Sequence, residues 1–275
     1  MRFIRSFTLF CCLFPLVAQA SHRLISLKPN ITEIIFDLGA GDQLIGVTSY
    51  CDRPAEATKI AKVADYIHLD SEKIMWLKPT LVLGSTENSV EREFRFLTKQ
   101  GIHIEFLSFG RLNQMFDSIT KMGDFLNTQE KAHEILNHIQ STLQELKDQV
   151  PSNPLTQKVV VMVGLKPFVV VGNDNLIDDL MKDLNIGNLY RGGKSRYPTI
   201  NIEDLILKSP EVIIDLSMGD EEKTKSEHWA QLHDLQSIPA IKNKRYYVLD
   251  VRDFHPAPSL LNGARALVEL FKGIK

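Results

Sequence analysis

Cysteine is nearly absent from this chain: three in 275 residues, at Cys11, Cys12 and Cys51. Two of them fall within an apolar run, Phe7 to Val17, that follows Arg2 and Arg5 and closes with Ala18-Gln19-Ala20. That is the pattern of a cleavable secretory leader, residues 1–20, with the cut expected after Ala20. Leu9 and Phe10 are not the small residues that a lipoprotein cleavage site places before its cysteine, which argues against a lipid anchor. Only Cys51 then remains, so no intrachain disulfide can form even in an oxidising compartment, and stability has to come from ordinary cores. The leader run is far short of the ~20 apolar residues of a membrane-spanning helix, and no later run replaces it. The mature chain is expected to be soluble and exported.

Basic clusters and catalytic signatures are also missing. Removing Arg2 and Arg5 from the 32 basic residues leaves 30 against 34 acidic ones, with no Lys/Arg stripe, which argues against nucleic-acid binding. Gly39-Ala40-Gly41 and Gly46 follow a helical pattern, whereas a dinucleotide loop follows a strand and opens a helix. There is no phosphate-binding Gly-Lys-Ser/Thr loop, paired-cysteine metal site, His-Glu zinc helix or serine elbow. His133 and His138 are five apart and so point to different helix faces. Carboxylates are scattered, with no acid–base pair. Nothing supports an enzyme.

What the chain does contain is a repeated unit. Residues 70–83 (DSEKIMWLKPTLVL) and 201–214 (NIEDLILKSPEVII) lie 131 positions apart. Each has a capping residue, Asp70 or Asn201, a glutamate two places on, Glu72 or Glu203, a short helix, a proline seven places after the glutamate, and an apolar strand. The repetition predicts two similar lobes, each presenting one exposed glutamate, a geometry suited to a two-fold symmetric partner.

Around these units, strands alternate with helices. Strands are predicted at Arg23–Leu27, Leu44–Val47, Thr80–Gly84 and Ile104–Leu107, with helices after Asn30, near Ser71 and over Glu91–Gln100. Asn30 and Glu33 read as a capping box. This alternation predicts a mostly parallel sheet covered on both faces. The rhythm breaks at two consecutive helical patterns, Leu112–Leu126 and Gln129–Val150. The second, with Thr128 as its cap and a stripe from Ala132 to Val150, is about 22 residues and ~33 Å long, and is read as a helix bridging the lobes. Alternation resumes with strands at Val159–Val163 and Phe168–Val171, a helix at Leu176–Leu184, the second glutamate unit, a helix near Trp229–Leu235, a strand at Arg245–Leu249 and a closing helix at Ser259–Phe271. The expected division is 21–110 for the first lobe, 111–154 for the helical connection and 155–275 for the second lobe.

Several segments carry a resemblance: residues 23–33 (RLISLKPNITE), 46–54 (GVTSYCDRP), both glutamate units, and Trp229 with 238–247 (IPAIKNKRYY). With them the chain resembles the periplasmic substrate-binding proteins of ABC importers for cobalamin, haem and iron–siderophore complexes, and looks most like the cobalamin-binding member. The resemblance implies the class III architecture: two Rossmann-like α/β lobes with mostly parallel sheets joined by a single long helix, a ligand in the cleft between them, and no resident cofactor. It implies that Glu72 and Glu203 engage arginines on an inner-membrane permease dimer served by ATPase subunits, with the receptor acting as a monomer. The positions matching the cobalamin wall are Tyr50 and Tyr66 in the first lobe and Phe168 and Tyr197 in the second, with Phe254 and His255 as further candidates. Such aromatic walls suit a large, flat, partly apolar metal chelate, cobalamin or a relative. The cobalamin-binding relative has tryptophans where this chain has Tyr66 and Tyr197, an aromatic where it has Ser85, and a disulfide that this chain cannot form. The departures predict a wider, more polar pocket. His68 and His255 are candidates for haem iron, and Arg191 and Arg196 for the anionic groups of a ferric siderophore. A secreted enzyme on the same scaffold is the reading from a different class.

Overall fold

A computed structural model describes residues 22–65, 68–86, 91–150, 158–217 and 235–273. The first part contains β1 (Leu24–Ser26), α1 (Pro29–Asp37), β2 (Leu44–Thr48), β3 (Lys62–Ala64), α2 (Ser71–Leu77), β4 (Leu81–Ser85), α3 (Glu91–Lys99) and β5 (Ile104–Leu107). Its strands form a five-stranded parallel sheet in the order β3-β2-β1-β4-β5. Two helices follow, α4 (Leu112–Leu126) and α5 (Gln129–Lys147). The second part contains β6 (Val159–Leu165), β7 (Phe168–Val170), α6 (Leu176–Asp183), β8 (Thr199–Ile200), α7 (Ile202–Lys208), β9 (Val212–Asp215), α8 (Pro239–Lys242), β10 (Tyr246–Val248) and α9 (Leu260–Gly273). Its sheet runs β10-β9-β6-β7-β8, parallel across β10, β9 and β6 and antiparallel through the β6–β7–β8 meander. Trp229 and most of the helix expected near it lie outside the described residues. No helix among the described residues is long and apolar enough to cross a membrane.

Strand alternation divides the core into three layers. Leu24, Leu81 and Leu83 of the first sheet and Val159, Val161, Val212 and Ile214 of the second all belong to one cluster, completed by α1, α4, α5, α6 and α9. The opposite face of the first sheet, with Ile25 and Val82, is covered by Ile74 of α2 and by Phe94 and Leu97 of α3. The opposite face of the second, with Val160 and Ile213, is covered by Leu205 of α7. The two glutamate-bearing helices therefore lie on the outer layers, while the inner layer is common to both lobes. A shared core of this kind resists wide separation of the lobes, because any opening would expose packed apolar surface.

The connection between the sheets differs from the single strut expected over Gln129–Val150. It is a pair of helices that turn at Asn127, whose left-handed backbone (φ 56°, ψ 40°) ends α4, and then pack against each other. Gly123 allows this approach, since a Cβ there would meet Cβ of Ala132 at 2.7 Å. Helix α5 lies against α9 and α6 of the second lobe, and its Lys131 is near enough to act on the Asp37 carboxylate at the end of α1. Thr128 takes the N-cap position of α5, but its hydroxyl does not cap the helix.

The capping box expected at the start of α1 does not form. Pro29 occupies the first helical position, where its fixed φ and missing N–H suit it, and Lys28 is the N-cap without a side-chain bond. Asn30 and Glu33 reach the other lobe instead: Asn30 Nδ2 donates to the Pro256 carbonyl at 3.5 Å, and Glu33 Oε1 accepts from the Ser259 N–H at 3.2 Å. Two ion-pair groups add to this seam. Arg53 meets Asp253 at 3.2 Å and Asp250 at 3.9 Å. Arg111, just before α4, grips both oxygens of Asp179 at 2.6 and 2.7 Å and Asp174 at 2.7 Å. Breaking a fully buried pair costs ~3–5 kcal/mol, and the Arg111 side chain is 33% exposed. Arg111→Ala is therefore expected to lower unfolding free energy by roughly 2 kcal/mol, measured by urea denaturation.

Candidate functional site

Tyr50 stands on a loop anchored from beneath. Cys51, 1% exposed, takes a hydrogen bond from the Thr32 hydroxyl at 3.1 Å and shares another with Thr48 at 3.1 Å. The Ser49 N–H bonds the Ala64 carbonyl, and the Cys51 N–H bonds the Thr48 carbonyl. With its neighbour drawn inward, the Tyr50 ring is 42% exposed. Three residues later Arg53 pairs with Asp253, which brings this loop against the loop carrying Phe254 and His255.

That second loop is a short 3₁₀ turn, Val251–Phe254, in which the Asp250 carboxylate accepts the Arg252 N–H and also binds its guanidinium. The Arg252 bonds hold the Asp250 carboxyl below the usual carboxylate range. Gly263 of α9 permits the turn to sit down on the helix, since a Cβ there would meet the Asp253 carbonyl oxygen at 2.5 Å. Phe254 is 4% exposed and packs in the shared core, so it backs the loop and shows little surface to a ligand. His255 is half-buried. Burial pushes its imidazole below the usual histidine range, against the pull of Glu33 and with the help of Arg53, which favours the neutral ring, with one nitrogen an acceptor.

Phe168, on β7, packs against the outer cluster of the second lobe, and Tyr197 lies in the loop before edge strand β8. Phe168 pairs with Leu165 at the carboxyl end of β6 and with Ile200 of β8. Tyr197, 44% exposed, precedes Ile200 by three residues, in the bend before β8. Its loop is stapled to the end of β7 by four bonds: Val170 N–H to the Pro198 carbonyl, Gly172 N–H to that of Arg196, Asn173 N–H to that of Ser195, and Asn175 Nδ2 to that of Arg196. Asp174, in the same stretch, is held by Arg111. Tyr50 thus stands beside the Arg53–Asp253 pair between the lobes, and Tyr197 beside the Arg111 pairs that tie the helical connection to the second lobe. Edge strands β10 and β8 are four strand steps apart, roughly 19 Å.

Tyr66 lies outside the described residues. Ser85 is buried at the end of β4, 1% exposed, and His68 is exposed. Arg191 is committed to Asp178, which its Nε meets at 2.9 Å, and so is occupied within its own lobe. The residues that sequence reasoning missed are Asn30, Glu33, Arg53 and Arg111, which build the seam. Their partners are 63 to 226 positions away, and no local spacing reports such pairing.

The two glutamate units are matched in detail. Asp70 accepts the Lys73 N–H and Asn201 the Asp204 N–H, so each caps its helix. The helices end in left-handed residues of nearly identical geometry, Lys78 (φ 48°, ψ 60°) and Ser209 (φ 48°, ψ 59°). Each feeds a strand that pairs in parallel with the first strand of its sheet, Leu81 beside Leu24 and Val212 beside Val159. Glu72 and Glu203 are exposed. Asp204, beside Glu203, is not available in the same way, because the Tyr190 hydroxyl donates to it at 2.7 Å.

Two α/β lobes with a common inner layer define a two-lobed architecture, and the chain's relatives are binding proteins. The chain belongs to the periplasmic binding protein family, whose model matches residues 24–252. It is similar to the vitamin B12-binding protein of Vibrio parahaemolyticus serotype O3:K6, 27% identical, with 97% of this chain and 95% of that one covered. Among solved structures, the periplasmic vitamin B12 binding protein BtuF of Vibrio cholerae aligns with TM-score 0.76 and 24% identity, covering 91% of this chain and 96% of the other. The periplasmic heme binding protein HutB of Vibrio cholerae aligns with TM-score 0.81 and 20% identity, covering 91% and 99%. These structural likenesses speak for the fold.

Proposed function

We propose that this protein is the substrate-binding component of an ABC importer, capturing a corrinoid of the cobalamin type in the periplasm and delivering it to an inner-membrane permease dimer driven by ATPase subunits. In this reading residues 21–110 and 155–275 are the lobes, 111–154 connects them, and residues 1–20 are removed on export. The ligand is cargo, and the protein performs no turnover. Tyr50, Tyr66, Phe168, Tyr197 and His255 line the cleft, with Phe254 behind them, and Glu72 and Glu203 meet the permease. The observation that carries the reading is the placement of one exposed tyrosine beside the Arg53–Asp253 pair between the lobes and of another beside the Arg111 pairs at the start of the helical connection. The relatives named vitamin B12-binding protein support the choice of a corrinoid.

Haem is the second reading, favoured by the position of the half-buried His255 on the loop that Arg53 of the first lobe grips and by the likeness to a periplasmic heme binding protein, a neutral imidazole being able to bind iron. Absorbance and calorimetric titration of the mature protein with cyanocobalamin, haemin and a ferric-siderophore panel separates the two. The expected result is saturable one-to-one binding of cyanocobalamin, weakened about five- to tenfold by Tyr50→Ala and by Tyr197→Ala through lost stacking. A Soret shift with haemin that disappears in His255→Ala selects haem instead. Failure to bind any of the panel overturns the receptor reading.

A further inference from the structure

The two most exposed large apolar side chains among the described residues are Trp76, at 78%, and Leu207, at 83%. One exposed apolar side chain is ordinary on a protein surface. These two are not independent: they lie 131 positions apart, each four residues after the glutamate of its unit. Residues four apart on a helix share a face, one turn along. Each helix is seated by an equivalent fully buried residue, Ile74 or Leu205, and framed by the same cap chemistry at both ends. The two lobes thus present the same pair of groups twice, a carboxylate and, one turn further, a bare apolar knob.

We infer that Trp76 and Leu207 are paired apolar anchors that enter equivalent sockets on the two subunits of the permease. The inference rests on the docking role proposed for Glu72 and Glu203 and extends it. A partner with two-fold symmetry offers each socket twice, which accounts for duplication of an exposed apolar group that neither lobe uses in its own core. The anchors and the carboxylates divide the work. Exposed charges steer encounter and act on association rate, whereas apolar groups that become buried lengthen the life of the complex. The anchors are also unequal. Tryptophan buries more surface than leucine and is far more often an interface hot spot, so the first lobe holds the permease more firmly than the second.

The test uses the full mature protein and the permease–ATPase complex of the same organism held in lipid nanodiscs, with binding kinetics followed by interferometry at two salt concentrations. Trp76→Ala is expected to shorten the lifetime of the complex about tenfold and Leu207→Ala about threefold. Association rates and their salt dependence stay as in the unsubstituted protein, and unchanged thermal midpoints verify that the variants fold. If the double variant dissociates at the original rate while Glu72→Ala with Glu203→Ala still slows association, the anchors are wrong and the docking face survives. If none of these changes alters the kinetics, or no complex forms, both fail.

Discussion

Replacing Gly172 with alanine is expected to reduce ligand affinity by about five- to tenfold, as much as removing the Tyr197 ring itself. The added methyl group would strike the Ser195 carbonyl oxygen and would lie 2.7 Å from Cδ of Pro198 and 3.2 Å from the Arg196 carbonyl oxygen. Main chain and a proline ring surround it, and neither yields as the end of a flexible side chain does. The loop of residues 195–198 must therefore move away from β7, stretching the bonds that Gly172 and Asn173 donate to it at 2.9 and 3.2 Å. Tyr197 moves with the loop. Overpacking of this kind costs about 1–3 kcal/mol of stability, so a lowered thermal midpoint is expected beside the loss of affinity. Titration with cyanocobalamin measures the first effect and calorimetric unfolding the second. Unchanged affinity in a destabilised Gly172→Ala protein would remove Tyr197 from the site.

Changing Glu72 and Glu203 together to alanine is expected to slow association with the permease by tenfold or more at low salt, on the order of what steering contributes. The difference from the unsubstituted protein should shrink as salt is added, because exposed charges are screened beyond about 8–10 Å at physiological ionic strength. Affinity for cyanocobalamin should not change, since both carboxylates are exposed on helices that cover the outer faces of the sheets. Asp204→Asn provides an internal comparison. It alters a carboxylate one residue from Glu203, but one already held by Tyr190, and should leave docking almost untouched. A double glutamate variant that lost its ligand and docked normally would reverse the assignment.

Much of this architecture was legible in the sequence because its signals are local. The alternation of Leu24, Ile25 and Ser26, or of Val159, Val160 and Val161, follows from strands buried on both faces. The repeated cap, glutamate and proline mark matched helices whose geometry agrees to within a degree at the left-handed residue. What depends on distant partners was not legible. Asn30 and Glu33 have capping-box spacing, yet Pro29 sets the start of α1 and frees both side chains for Pro256 and Ser259. Strand β8 has two residues, too few for any periodicity, and is defined by its pairing with β7. Phe254 belongs to a loop and was expected at the cleft, but α9 presents Gly263, and the space it leaves accepts the ring into the core. Helix α5 carries a clean apolar stripe, but a stripe states only that one face is covered. Whether the cover is another helix or the gap between lobes depends on the turn at Asn127.

Diffraction from crystals grown with whichever of cyanocobalamin or haemin the titration selects tests the central claim most directly. The expected density is one macrocycle in the seam, with Tyr50 and His255 on one side and Phe168 and Tyr197 on the other. A macrocycle bound on the outer face of a single lobe, or an empty seam at saturating ligand, would contradict it.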